Sequence, residues 1–207
     1  MTQVRIYVEG GGEKKDTKRF LRTGFGCFLR DLRYGARRRR IRWDVIVCGA
    51  RSAAYQRFVS DLEDGADAFN VLLVDSEGPV RGHLSPREHL REHDQWDVGS
   101  FNDDQAHLMV QTMEAWLIAD HDALEHYYGQ GFRRTRLPAT DDVERVDRRT
   151  LQRSLKAATR DTARGEYHKT HHAWRLLQRV DVGLVGQRAR HCNRLFETLT
   201  SRIEGTP

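Results

Sequence analysis

The sequence predicts a mainly parallel α/β sheet with helices on both faces, followed by a C-terminal helical extension. Three observations carry that expectation. Apolar runs of strand length stand at 3–8, 43–48 and 70–74. Segments of helical length separate them, which gives a βαβαβ order and so a parallel sheet with right-handed crossovers. The third run, Asn70 to Val74, is apolar after its first residue, as expected of a strand covered on both faces.

Taken in order, the first strand ends at Glu9 and runs into Gly10-Gly11-Gly12. Phe20, Leu21, Phe25, Phe28, Leu29 and Leu32 are spaced as one helix face, so a helix is expected over 13–33, weakened at Gly24 and Gly26. A second helix is expected at 52–62. The polar stretch 76–105 has little periodicity and reads as a long loop or lid beside the strand ends. A fourth strand at 107–110 and a helix at 112–128 follow, then a loop at 129–147. Helices near 149–160, 170–180 and 184–203 close the chain. Residues 1–128 form the α/β core, and 129–207 a helical extension packed on it as one structural unit.

The chain has 207 residues, 31% of them charged, and a net charge of +5, with a mean hydropathy of −0.73. The basic excess is concentrated. The stretch 33–42 holds six arginines and no acid, and Arg37, Arg38, Arg39 and Arg40 are consecutive. Such a run suits a polyanion, because phosphate contacts release counterions; a solvated basic loop is the competing reading. Cys27, Cys48 and Cys192 are far apart and form no CxxC motif, which favours reduced thiols and a cytoplasmic protein. No apolar run approaches the roughly 20 residues of a membrane span.

Ligands of open parallel sheets bind beyond the carboxyl ends of the strands. Glu9 stands there after the first strand, and Asp75 with Glu77 after the third. In an extended segment, side chains two residues apart point the same way. Three carboxylates brought together would repel one another unless a cation lay between them, and an all-oxygen donor set favours Mg²⁺ or Mn²⁺ over zinc. The alternative is that these acids cap the helices that follow. The triple glycine completes neither GxxxxGK[ST] nor GxGxxG. Glu114 is either a surface ion-pair partner or a group orienting a lysine or water. Glu13, taken as one turn into the first helix, is an outer ligand or a helix-dipole partner. His168, His171 and His172 read as a phosphate-facing cluster or plain surface rather than a zinc site. Trp43, Trp116 and Trp174 fall at core positions.

The motifs Val8-Glu9-Gly10 and Val74-Asp75-Ser76-Glu77 resemble the TOPRIM domain of topoisomerases, primases and overcoming-lysogenization-defect nucleases. That domain has a Glu after its first strand and Asp-x-Asp after its third; here Glu77 replaces the second Asp. The segments YVEGGGE, LLVDSEGPV, HLMVQTMEAWLIAD and YHKTHHAWRLL are similar to a TOPRIM-like family encoded beside ABC-type ATPases in prokaryotic phage-defence loci. The resemblance implies Glu9 as metal ligand or general base, Asp75 and Glu77 as metal ligands, and Lys169 as the lysine that stabilises charge on the scissile phosphate. His168 stands beside that lysine as an auxiliary group.

The function expected is a metal-dependent nuclease acting on DNA or RNA, with Arg37–Arg40 gripping the nucleic acid and an ATPase as partner. Two alternatives stand: a catalytically weak module that docks on an ATPase, and a small-substrate phosphohydrolase with 76–105 as its lid. Oligomeric state is left open, a homo-oligomer included.

Overall fold

The computed structural model describes residues 1–64 and 67–205. β1 (Gln3–Glu9) leads through the glycine turn to α1 (Lys15–Phe28) and α2 (Arg30–Arg38). β2 (Arg42–Gly49), α3 (Arg51–Glu63) and β3 (Ala68–Asp75) follow. α4 (Pro86–Asp94) precedes β4 (Ala106–Met109), and α5 (Glu114–Ile118) and α6 (His121–Tyr128) come next. α7 (Arg148–Thr159), α8 (Lys169–Leu177), α9 (Val182–Arg188) and α10 (Arg190–Glu204) complete the chain. The four strands are all parallel, in the order β2-β1-β3-β4. The α/β fold class read from the sequence is therefore the observed one.

Strand alternation sorts the core into two layers. Val4, Ile6 and Val8 of β1, with Val71 and Leu73 of β3, face a cluster that includes Phe25, Trp116, Leu155, Leu176 and Leu199. Tyr7, Leu72 and Val74 face the other way, against Ala54 and Phe58 of α3 and Leu90 of α4. The first cluster draws on both 1–128 and 129–207. α8 packs on α1, and α10 on α2 and β4.

Several expectations need correction. The helix expected over 13–33 is two helices joined at Leu29, and Glu13 lies ahead of the first rather than one turn into it. Gly24 is not its weak point: a Cβ there would stand 2.8 Å from the carbonyl oxygen of Trp174, so glycine permits the close crossing of α1 and α8. The arginine stretch is helical as far as Arg38 and turns at Arg39 and Arg40.

The stretch 76–105 is not an open lid. It folds around α4, whose Ser85 accepts from the Glu88 amide at 3.3 Å while Glu88 accepts from the Ser85 amide at 2.8 Å. Ser-Pro-x-Glu is a helix-start signature that the apolar pattern alone missed. Leu90, Val98 and Phe101 bury this segment against the sheet.

The helices expected at 112–128 and 184–203 are each broken by a buried acid. Asp120 accepts from the amides of Ala123 and Asp181, at 2.9 and 2.8 Å. Glu144 accepts from the amide and ring Nδ1 of His191, at 2.8 and 2.7 Å, where α10 begins.

Candidate metal centre

Parallel pairing of β1 with β3 puts their carboxyl ends side by side, with Val8 opposite Leu73. One carboxylate oxygen from each of Glu9, Asp75 and Glu77 lies within 4.8 Å of the other two. Among the described residues this is the one group of three or more metal-capable side chains so placed, and it could hold a metal ion. The route to convergence differs from the one the sequence suggested. β3 ends at Asp75, and Glu77 adopts φ +59°, so the two are not alternate residues of a strand. The backbone instead follows β4 briefly, with Ser76 and Glu77 amides donating to the carbonyls of Met109 and Gln111, both at 3.0 Å.

Asp75 is 2% exposed. One of its oxygens accepts from the Met113 amide at 2.8 Å, and the other faces the Lys169 ammonium at 3.2 Å. Lys169 also pairs with Glu114 at 3.4 Å, and Glu114 accepts from the buried Tyr167 hydroxyl at 3.1 Å. Glu114 is thus a buried acid holding a lysine, not a surface ion pair. The Lys169 side chain remains 47% exposed, so it reaches the carboxylates from a solvent-facing position at the start of α8.

Arg51 organises the other flank and was not singled out from the sequence. Its guanidinium grips Asp94 with two bonds, at 2.9 and 2.6 Å. It also donates to the backbone carbonyl of Asp75 and lies 3.5 Å from Glu9. Glu9 accepts from the Asp75 amide at 3.2 Å. Arg148 pairs with Glu77. The rule that placed Glu9 and Asp75 would have found Arg51, since it follows β2 at the same sheet edge. Asp94 and Arg148 come from segments with no sequence tie to the site, whereas Tyr167 stands two residues before Lys169.

Five carboxylates (Glu9, Asp75, Glu77, Asp94 and Glu114) meet three cations (Arg51, Arg148 and Lys169) in this network. The acids outnumber these cations, and burial together with crowding shifts the acidities of Glu9 and Asp75. Burial and then Asp75 push Glu9 up to about 7, against the opposing pull of Arg51. Burial raises Asp75 too, with Lys169 opposing and Glu114 adding to the rise. Burial works against charge on Lys169, yet Asp75 and Glu114 together hold its pKa above the ordinary lysine range. Burial is the larger cause of both carboxylate shifts, and a bound cation would counter it together with the repulsion among the acids.

The other residues proposed from the sequence lie elsewhere. Glu13 is exposed and outside the cluster. His168 is exposed, and its ring bonds Thr170 at 3.0 Å. Arg37, Arg38, Arg39 and Arg40 are exposed at the opposite end of the sheet, where Arg42 pairs with Gln3. A seven-residue β1, at about 3.3 Å per residue, separates them from Glu9 by roughly 20 Å. The arginine run therefore does not adjoin the carboxylates. Cys27, Cys48 and Cys192 are free, and no helix among the described residues is long and apolar enough to cross a membrane.

A family model described as a domain of unknown function (DUF4276) matches residues 8–200, and the chain belongs to that family. No curated protein and no solved structure matches it.

Proposed function

We propose that this chain is a Mg²⁺- or Mn²⁺-dependent nuclease that hydrolyses phosphodiester bonds. The observation that carries the reading is the meeting of Glu9, Asp75 and Glu77 from two strand ends, with Lys169 against the same cluster. Opposed ligands of Mg²⁺, each at about 2.1 Å, lie about 4.2 Å apart. Adjacent ligands lie closer still, at about 3.0 Å, so the three oxygens, now within 4.8 Å of one another, would draw together on binding. Oxygen-only donors favour such hard cations.

When bound, the ion would polarise a phosphate oxygen and lower the pKa of an attacking water. The protein's own groups supply the rest. Asp75 and Glu77 present the negative oxygens that hold the cation. Glu9, deprotonated beside the ion, either joins them as a ligand or takes a proton from the attacking water. Lys169, kept charged by Asp75 and Glu114, neutralises charge growing on the phosphate. Tyr167 and Arg51 fix the positions of Glu114 and Glu9 from behind.

The resemblance to TOPRIM-like proteins of phage-defence loci extends the proposal to an effector working with an ATPase. The test is direct. The purified chain is incubated with DNA and RNA in Mg²⁺ or Mn²⁺, alone and with an ABC-type ATPase, beside Asp75→Asn. Metal-dependent cleavage lost in the variant supports the reading, and absence of cleavage under every condition overturns it.

A second reading is a binding module of low activity. It is favoured by the pairing of Arg51 and Lys169 with the carboxylates themselves, which offsets part of the charge that would attract a cation. Calorimetry separates the two: Mn²⁺ binding abolished by Asp75→Ala supports a catalytic centre, and the absence of a metal-dependent signal supports the module. A small-substrate phosphohydrolase is a third reading: the stretch 76–105 folds around α4 and brings Asp94 to Arg51 beside the site, and comparing turnover of nucleotides and polynucleotides separates it from the first.

A further inference from the structure

Beside the carboxylates lies a cavity of about 120 Å³ that the reaction described above does not use. Gly10, Gly11 and Gly12, the apolar side chains of Leu21, Met113 and Trp174, and the polar Thr17, Lys169 and Thr170 line it. Lys169 is common to the cavity and the Asp75 cluster, so a ligand in one lies next to a ligand in the other. The wall is mostly apolar and one side is aromatic, which suits a flat heterocycle better than a second phosphate.

Trp174 was expected in the core, yet it is only half-buried. Its ring stacks on Phe20 with centroids 4.9 Å apart and planes 11° from parallel. Arg19 lies over Phe20 at 5.3 Å, and Arg175 over Trp174 at 4.3 Å. Both helices bearing this stack are rich in cations: α8 carries no acid, and the single acid of α1, Asp16, pairs with Arg19 at 3.4 Å. No acid occurs from Thr17 to Leu29, which holds Lys18, Arg19 and Arg22. None occurs from Tyr167 to Val180, which holds Lys169, Arg175 and Arg179. Cations interleaved with stacked aromatics are the chemistry of single-strand recognition, in which bases stack while the backbone tracks positive charge.

We infer that this cavity takes an unpaired nucleobase of single-stranded nucleic acid, with the strand's backbone running over the basic faces of α1 and α8. The inference rests on the nuclease reading and deepens it by naming the substrate class. A base inside a duplex is stacked and paired, so it can enter such a cavity only from a single strand or after being turned out. Lys169 lines both the cavity and the cluster, so a base in the cavity would bring its adjoining phosphate near the carboxylates.

The experiment measures binding to the full chain without turnover, in EDTA, by fluorescence anisotropy. The probes are labelled oligothymidylate and oligouridylate of about 12 nucleotides, within the usual span of single-strand sites, and a blunt duplex of equal length. Single strands should bind at least about tenfold more tightly than the duplex. Trp174→Leu should weaken them by about fivefold to a hundredfold, the range for loss of one base–aromatic stack.

Because Trp174 also packs against α1, the deciding variant is Thr170→Trp, which fills the cavity from an exposed position and should weaken binding comparably while melting as the parent does. Arg19→Gln and Arg175→Gln should each reduce the slope of log affinity against log salt by about 0.7. A 5-iodouracil strand should crosslink to Trp174. A duplex bound as tightly as the single strands, or full single-strand affinity in folded Thr170→Trp, overturns the inference.

The two proposals fail separately. Single-strand binding without any metal-dependent cleavage would leave the cavity assignment standing and remove the nuclease. Duplex cleavage indifferent to Thr170→Trp would do the reverse.

Discussion

At the carboxyl ends of β1 and β3, charged side chains are drawn into the fold. Asp75, Glu114 and Arg51 are largely withdrawn from water and each meets a partner of opposite charge. At the amino ends of the same sheet, Arg37, Arg38, Arg39 and Arg40 stand in solvent, and Arg39 caps the end of α10 through the Glu204 carbonyl at 3.0 Å. The arginine run is the denser charge signal in the sequence, but density is not what the fold uses. A charge acquires chemical consequence where neighbours desolvate it and other charges face it; an exposed run is screened within about 10 Å at ordinary ionic strength.

The largest effect expected is on stability in acid, because the sheet also buries titratable groups with opposite pH responses. His107, near the start of β4, is pushed down to about 3 by burial and then by Arg194. The unfolded imidazole binds a proton below about 6.5 and the folded one does not, so stability is full above that pH and is lost as pH falls toward 3. The linkage is worth up to about 4–5 kcal/mol. Urea titrations at stepped pH should show the loss, and His107→Gln should flatten it. Glu9 runs the other way: its raised pKa favours the folded state below about 4.5, and that contribution is lost as pH rises through 7. Since Glu9 must be deprotonated to ligate, Mn²⁺ affinity should climb by up to about tenfold per pH unit below 7 and level off above it.

Next in size is Asp75→Asn. Changes to the outer partners of metal ligands typically cost 10–100-fold, so loss of the buried central ligand should cut cleavage and Mn²⁺ affinity by more than about a hundredfold. Lys169→Met sharpens the contrast by separating the two roles: cleavage should fall about a hundredfold, while Mn²⁺ affinity holds or tightens, because a competing cation has left the carboxylates. Equal losses of both in calorimetry and rate measurements would make Lys169 a structural support. The smallest effect should come from the far edge. Replacing Arg37, Arg38, Arg39 and Arg40 together by Gln should change cleavage less than about twofold and stability by about 0.5 kcal/mol or less per residue, as is usual for exposed positions. A large loss of activity there would break the comparison.

Much of this was legible before any coordinates. Glu9, Asp75 and Glu77 were identifiable because each follows an apolar run of strand length, and parallel sheets place ligands at such ends. Other members of the site carry no such local mark. Arg148 and Tyr167 come from the helical extension, more than seventy positions from Glu77 in one case and over fifty from Glu114 in the other. Apolar periodicity also failed to locate helix breaks, because Asp120 and Glu144 end or begin helices through hydrogen bonds to distant amides.

Taken alone, the sequence determined the parallel α/β class and the acidic strand ends, since the periodicity of apolar residues and the position of charge relative to it are local properties. Only the tertiary structure decided that Lys169 and Glu114 join Asp75, that Arg51 locks Glu9, and that the arginine run stands some 20 Å away at the other edge. These outcomes depend on which strands become neighbours and which helices cross. Long-range packing settles both, and no window along the chain contains it.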